Sequence, residues 1–295
     1  MSAPTSLATN VFGFGSYTTM LQKVESVTTS SMPVPPPKSL LIATPSEAGE
    51  FPLLIFLHGY LLYNSFYSQL LQHVASHGFI VIAPQLYIVA GPDTTDEIKS
   101  TAAITIGYPR GIPRVASTTC SAKLKQACTC RPQSRRQSCF RPSSAENNDY
   151  IKVFNHNRHR PRRWNGQRET NATSVMVIGS GLGEVKRNPL FPPCAPKGVN
   201  HEDFFKECRK PACHIVAKDY GHLDMLDDET NGFRGRSSYC LCKNGEAREP
   251  MRRFVGGVIV ASMKAYLNGD NTDLIAIKDG HEAAPVELKT IEFLV

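Results

Sequence analysis

The run "FPLLIFLHG", Phe51 to Gly59, limits what this chain can become more than any other stretch. It has no polar face, so as a strand it must be covered on both sides, the situation of an interior strand in a parallel sheet. "NSFYSQLLQHVASHG" comes next: Asn64 stands where a cap belongs, Phe66, Leu70, Leu71 and Val74 fall on one face, and Gly78 ends the pattern. "FIVIAP", Phe79 to Pro84, is a second buried strand. Strand, helix, strand at this spacing predicts a βαβ unit with a right-handed crossover. A further helix is expected in "DTTDEIKSTAAI", with Asp93 or Thr94 as its cap.

From Ile106 to Thr170 neither alternation nor a helical stripe continues, and the composition is that of an irregular basic loop. Lys and Arg number 14 there against three acids, whereas the rest of the chain has 19 basic and 23 acidic residues. One segment therefore supplies the whole net charge of +7. A loop of that length inside a compact domain is itself an anomaly. Regular structure resumes with a strand in "SVMVIGSGLG" (174–183), another in "CHIVAKDYGH" (213–222), and a long amphipathic helix in "PMRRFVGGVIVASMKAYLNG". In that helix Met251, Phe254, Val255, Val258, Ile259, Met263, Tyr266 and Leu267 make the apolar face, between Pro250 and Gly269. The class is α/β with a mostly parallel sheet.

No stretch is long and apolar enough for a transmembrane helix. The first twenty residues are acid-free and rich in Ser and Thr but have no Arg, so they match a transit peptide only in part. The nine cysteines are an odd number without a signal peptide, which argues for reduced thiols. Cys128-Thr129-Cys130 and Cys240-Leu241-Cys242 lack the two-residue spacing of a zinc knuckle, so no metal is expected. The basic segment would attract phosphate, but few aromatics are interleaved and no nucleic-acid module is visible, so no nucleic acid is expected as partner.

In a parallel sheet, function gathers at the carboxyl ends of the strands. There "FLHGY" places His58, Gly59 and Tyr60, where backbone N–H groups can receive an oxyanion; the plainer reading is a tight turn. "KDYGHLDMLDD" places His222 in a loop after the last recognisable strand, as a general base would be. The plainer reading is an acidic, solvated turn of Asp219, Asp224, Asp227 and Asp228. "GSGLG" (179–183) lacks the rest of a dinucleotide or phosphate-loop fingerprint, and Ile178 excludes a G-x-S-x-G elbow.

Residues 12–104 and 174–270, through stretches such as "PLLIFLHGYLLYNSFYSQLLQHVASHGFIVIAPQLY", "VMVIGSGLGEVKRNPLFPPCAPKG" and "AKDYGHLDMLDD", closely resemble the plant chlorophyllases. The resemblance implies an α/β-hydrolase that cleaves the phytyl ester of chlorophyll with a Ser-Asp-His triad, without metal or cofactor, in the chloroplast. It also implies peripheral contact with pigment-bearing membranes. His222 matches the triad histidine, and Gly59 and Tyr60 the oxyanion hole. The family's GHSRGG and DPVDG motifs, which carry the serine and the aspartate, do not occur in frame.

Both return on a shift of reading frame. "CRPQSRRQSCF" (130–140), with allowed codons and a start one nucleotide later, reads AGHSRGGKAAF. The same offset turns "KLKQACTC" into NLNKLALA and "HRPRRWNGQR" into TDPVDGMDKG. The nucleophile codon straddles Gln133 and Ser134. Expected, then, is a flexible or transit-type segment over 1–22 and one α/β-hydrolase domain over 23–295, disrupted across 106–173. The alternative is an inactive remnant whose basic segment binds anionic lipid or nucleic acid. A generic esterase of the same fold is a third reading.

Overall fold

The computed structural model describes residues 10–27, 35–87, 99–101, 103–104, 120–131, 152–154 and 174–294. The strands are β1 (Thr19–Val24), β2 (Leu40–Pro45), β3 (Gly49–Phe56), β4 (Ile80–Pro84), β5 (Cys120–Arg131), β6 (Lys152–Phe154), β7 (Val175–Ser180), β8 (Ala212–Ala217) and β9 (Leu288–Leu294). The helices are α1 (Ser68–Ser76), α2 (His201–Glu207), α3 (Gly232–Leu241), α4 (Glu249–Asn268) and α5 (Thr272–Lys278). One mixed sheet takes the order β1-β2-β4-β3-β5-β6-β7-β8-β9. From β4 across to β8 every neighbouring pair is parallel; the pairs β1–β2, β2–β4 and β8–β9 are antiparallel. The carboxyl ends of β4, β3, β5, β6, β7 and β8 therefore lie along one edge.

β3 behaves as its composition demands. Leu54 and Phe56 enter a core shared with α1 and α4, while Leu53, Ile55 and Leu57 enter a second core with Ile80, Ile82 and Tyr87. The expected helix after β3 is present, but Asn64 does not cap it. Residues Asn64–Tyr67 form a 3₁₀ turn ahead of α1, and the Asn64 side chain donates instead to the Ala83 carbonyl at 2.8 Å. A buried amide tied to the neighbouring strand cannot also reach the amides of α1. Of the helix expected after β4, residues 99–101 and 103–104 are helical; its proposed caps, Asp93 and Thr94, lie outside the described residues.

The segment expected to be irregular contributes two strands, β5 and β6. Backbone pairing asks for extended chain and donors, not for a particular side-chain pattern, so a basic stretch flanked by β3 and β7 can still complete the sheet. The fit is imperfect: β5 slips by several residues where Pro52 gives way to Leu53. The N-terminal segment is also more ordered than expected from Asn10 onward. Val11 and Phe12 are buried, Phe12 stacks on Phe254, and its carbonyl accepts from Arg253 Nε at 2.8 Å.

α4 runs from Glu249 to Asn268 with Pro250 at its first turn and Gly269 closing it, as the sequence pattern predicts. Gly256 and Gly257 interrupt its stripe because neighbours pass too close for a side chain. A Cβ on Gly257 would lie 2.4 Å from the Phe12 ring and one on Gly256 2.6 Å from His73. Gly257→Ala should therefore lower the unfolding free energy by about 1–3 kcal/mol in urea melts and expose the N-terminal segment to limited proteolysis. An unchanged midpoint with unchanged proteolysis would show that the contact with Phe12 is not a close one.

Candidate functional site

β3 ends at Phe56, and the next residues turn across the carboxyl edge. His58 is fully buried there. Its Nε2 accepts from the Leu86 amide at 2.7 Å, so the ring proton sits on Nδ1 and points to the Gly59 carbonyl at 2.8 Å. Burial pushes its pKa down to about 4, so the imidazole is neutral at ordinary pH. Gln85 continues the stitching: its Nε2 donates to the Leu86 and Leu62 carbonyls, and its Oε1 accepts from the Asn64 amide. His58 thus fastens the end of β3 to the end of β4.

Gly59 donates its amide to the Tyr67 hydroxyl at 3.1 Å. Burial raises the Tyr67 phenol pKa, which keeps the hydroxyl protonated. Leu61 and Tyr87 have φ of 60° and 53°, in the left-handed region that non-glycine residues avoid at a cost of roughly 1 kcal/mol or more each. They sit just past β3 and β4, and the rings of Tyr60 and Tyr87 lie 5.4 Å apart over this edge. Strain held at two neighbouring strand ends is a mark of a working surface.

His222 is buried in the turn that follows β8. Of the acidic residues beside it, Asp224 and Asp227 are buried, while Asp219 and Asp228 are exposed. Asp224 is buried, and its Oδ2 accepts from the Gly221 and Gly245 amides, both at 2.6 Å, a clasp that straddles His222. Its Oδ1 has no hydrogen-bond partner among the described residues, and burial outweighs the two amide bonds to raise the carboxyl pKa. Asp227 accepts from the Gln69 amide at 3.0 Å and donates its own amide to the Phe66 carbonyl at 2.7 Å. The His222 turn is thereby tied to the segment that follows Gly59 and Tyr60. Asp228 pairs with Arg252 at 2.6 Å, Arg248 donates to the Asp227 carbonyl at 2.9 Å, and Asp219 is exposed.

The glycines of "GSGLG" serve packing. A Cβ on Gly181 would lie 2.0 Å from the Lys218 carbonyl oxygen, and the Gly181 amide donates to Ala217 at 2.7 Å. These contacts hold the β7 and β8 ends together. Not all thiols are reduced: Cys194 and Cys242 form a disulfide, with Cα atoms 5.5 Å apart, joining the loop after β7 to the end of α3. Nothing in their spacing of 48 residues announces this pair. Ser134, the rest of the restored GHSRGG and the DPVDG positions lie outside the described residues, but β5 ends at Arg131, where the first glycine of GHSRGG falls. Sequence reasoning missed Tyr67, Gln85, Arg248 and Arg252; their partners lie across turns or elements, where no short-range pattern reaches.

The chlorophyllase family model matches residues 7–135 and 164–295. Among curated proteins, chlorophyllase-2 of Arabidopsis thaliana is 49% identical over 97% of this chain and 98% of its own length. The chloroplastic chlorophyllase-1 of Citrus unshiu is 36% identical, over 96% of this chain and 88% of its own. Chlorophyllase-1 of Arabidopsis thaliana is 34% identical, over 94% and 90%.

Two outcomes follow from this geometry. Asp224→Ala leaves one buried and one part-buried amide without an acceptor and should destabilise by about 2–4 kcal/mol in urea melts, with Asp224→Asn milder because one oxygen remains. For His58, the folded pKa lies below the unfolded value, so the unfolded state binds the proton first. Stability should fall as pH drops from about 6.5 to about 4, and His58→Gln should flatten that slope while lowering stability at pH 7. A slope unchanged in His58→Gln would assign the acid sensitivity to other groups.

Proposed function

The chain belongs to the chlorophyllase family, and from this membership we infer that the carboxyl edge of its sheet serves hydrolysis of a carboxylic ester, the phytyl ester of chlorophyll. The observation that carries the reading is the match over nearly the whole chain, with His222 buried at the edge where such chemistry belongs. The architecture is that of an α/β-hydrolase, one domain that takes in Val11, Phe12 and β1 as well as the chain from residue 23 onward, with a mostly parallel central sheet. The unbroken run of parallel pairings from β4 to β8 supports this.

In the mechanism, which belongs to the chain with its GHSRGG and DPVDG motifs restored, the serine just past β5 attacks the ester carbonyl while His222 takes its proton. The resulting imidazolium returns the proton to the phytol oxygen as the C–O bond breaks. Water, deprotonated by His222, then splits the acyl-enzyme to release chlorophyllide and regenerate the serine. The aspartate that orients His222 follows β6. Asp224 holds the loop, its Oδ2 accepting from two amides. Of the two oxyanion candidates, Gly59 has its amide on the Tyr67 hydroxyl, and we assign the donor role to the Tyr60 position together with an amide after the serine. His58, neutral and committed on both nitrogens, is a positioning residue.

The substrate is carried in membranes, and we place the protein in the chloroplast, in line with the chloroplastic relative from Citrus. No helix among the described residues is long and apolar enough to cross a bilayer. The alternative of an inactive remnant whose basic segment binds anionic lipid or nucleic acid finds no support in the comparisons. The test replaces residues 130–140 by AGHSRGGKAAF and 159–168 by TDPVDGMDKG and assays phytyl-ester hydrolysis. That chain should release phytol, and adding His222→Ala should lower kcat by about 10⁴-fold. Activity indifferent to His222 would remove it from the mechanism.

A further inference from the structure

Two exposed segments near the candidate site combine large apolar side chains with positive charge. On α3, Phe233 is 88% exposed, and Arg236 and Cys240 follow it at helical spacing on the outward side, with Leu241 beside them at the helix end. In the loop after β7, Leu190 is 87% exposed, next to the exposed Phe191 and shortly after Lys186 and Arg187. The Cys194–Cys242 disulfide ties the end of this loop to the end of α3. Isolated exposed apolar residues are ordinary, but two linked segments rich in them mark a surface that meets something.

Charge says what that partner is. From Val185 to Phe191 the ionisable residues are Lys186 and Arg187, and from Gly232 to Lys243 they include Arg234, Arg236 and Lys243, with no acid in either stretch. Of the acids outside these stretches, Glu184 accepts from the Asn200 side chain and Asp228 pairs with Arg252, while Glu229 and Glu246 are exposed beyond the two ends of α3. Aromatic and aliphatic side chains interleaved with Lys and Arg, on a short helix and an adjoining loop, suit insertion among anionic headgroups. The face also connects to the site. The Arg234 guanidinium lies 5.1 Å from the centroid of the Tyr63 ring, and Tyr63 belongs to the loop that begins with Gly59 and Tyr60.

We propose that the outward side of α3, with the loop Lys186–Phe191, is a docking surface for an anionic lipid bilayer. Phe233, Leu190 and Phe191 enter the headgroup layer, and Lys186, Arg187 and Arg236 meet its phosphates. Contact at this face sets the Tyr60 edge toward the membrane, where an ester with a long hydrocarbon tail is dissolved. This last point rests on the ester-hydrolase reading; the docking does not.

Cosedimentation of the full chain with phosphatidylcholine vesicles, with and without phosphatidylglycerol, tests the surface and needs no turnover. The chain should bind the phosphatidylglycerol vesicles, less so at high salt. F233S/L190S/F191S should weaken binding by ~10-fold or more, K186E/R236E comparably, and neither should change the thermal midpoint by more than a few degrees. F233W should give a blue-shifted emission with those vesicles beyond that of the native Trp164. If the serine variant binds as tightly as the parent, the contact belongs elsewhere, for instance to the basic segment 106–170, and the proposal fails. It fails equally if the parent binds neither vesicle, or if only the charge variant loses binding, since the apolar wedge would then be absent. Vesicle binding that depends on this face stands even when no hydrolysis is found.

Discussion

The absence of a polar face on β3 is the constraint from which the rest follows. A strand with Leu53 and Ile55 on one side and Leu54 and Phe56 on the other cannot border water on either. It needs a strand on each flank and a layer on each face. β4 and β5 supply the flanks, both parallel, and α1 with α4 cover one face. Parallel neighbours require crossovers, and crossovers leave the strand ends together on one edge. The candidate site is there for that reason. Its location is a consequence of hydrophobic burial before any catalytic residue is considered.

What holds the site together is polar and equally buried. His58 and Gln85 join the ends of β3 and β4, Asp224 closes the His222 turn on two amides, and Asp227 ties that turn to the start of α1. Each of these groups would be costly if left unmatched in a dry interior, so each fixes one geometry. The depressed His58 pKa and the raised Asp224 pKa have one cause, removal from water, and both favour the neutral form. The two left-handed residues, Leu61 and Tyr87, store strain beside them. A loop pair stitched this tightly can present Tyr60 and His222 as fixed partners, which suits chemistry that relies on preorganised donors.

The elements that were legible in the sequence are those with a strong pattern. β3, β4, β7 and β8 are short apolar runs bounded by turn residues, and α1 and α4 carry apolar stripes. The edge strands β1 and β9 were not legible, because β1 is largely exposed, β9 is part-buried, and both mix polar with apolar side chains. β5 and β6 escaped for another reason: their text is basic and their strand character comes from backbone pairing with neighbours. At the site, His222, Gly59 and Tyr60 could be singled out from local motifs. The capture of the Gly59 amide by Tyr67, the role of Asp224 as a clasp and the Cys194–Cys242 bond could not. Each joins residues that only the folded chain brings together.

The central claim is that a serine hydrolase centre lies just past β5 at this edge. Labelling the protein from its natural source with a fluorophosphonate and mapping the modified peptide by mass tests it most directly. The account predicts a single labelled serine on a peptide reading AGHSRGG, between the chain of β5 and that of β6. Peptides reading CRPQSRRQSCFRP without label, or label on a serine elsewhere, would contradict it.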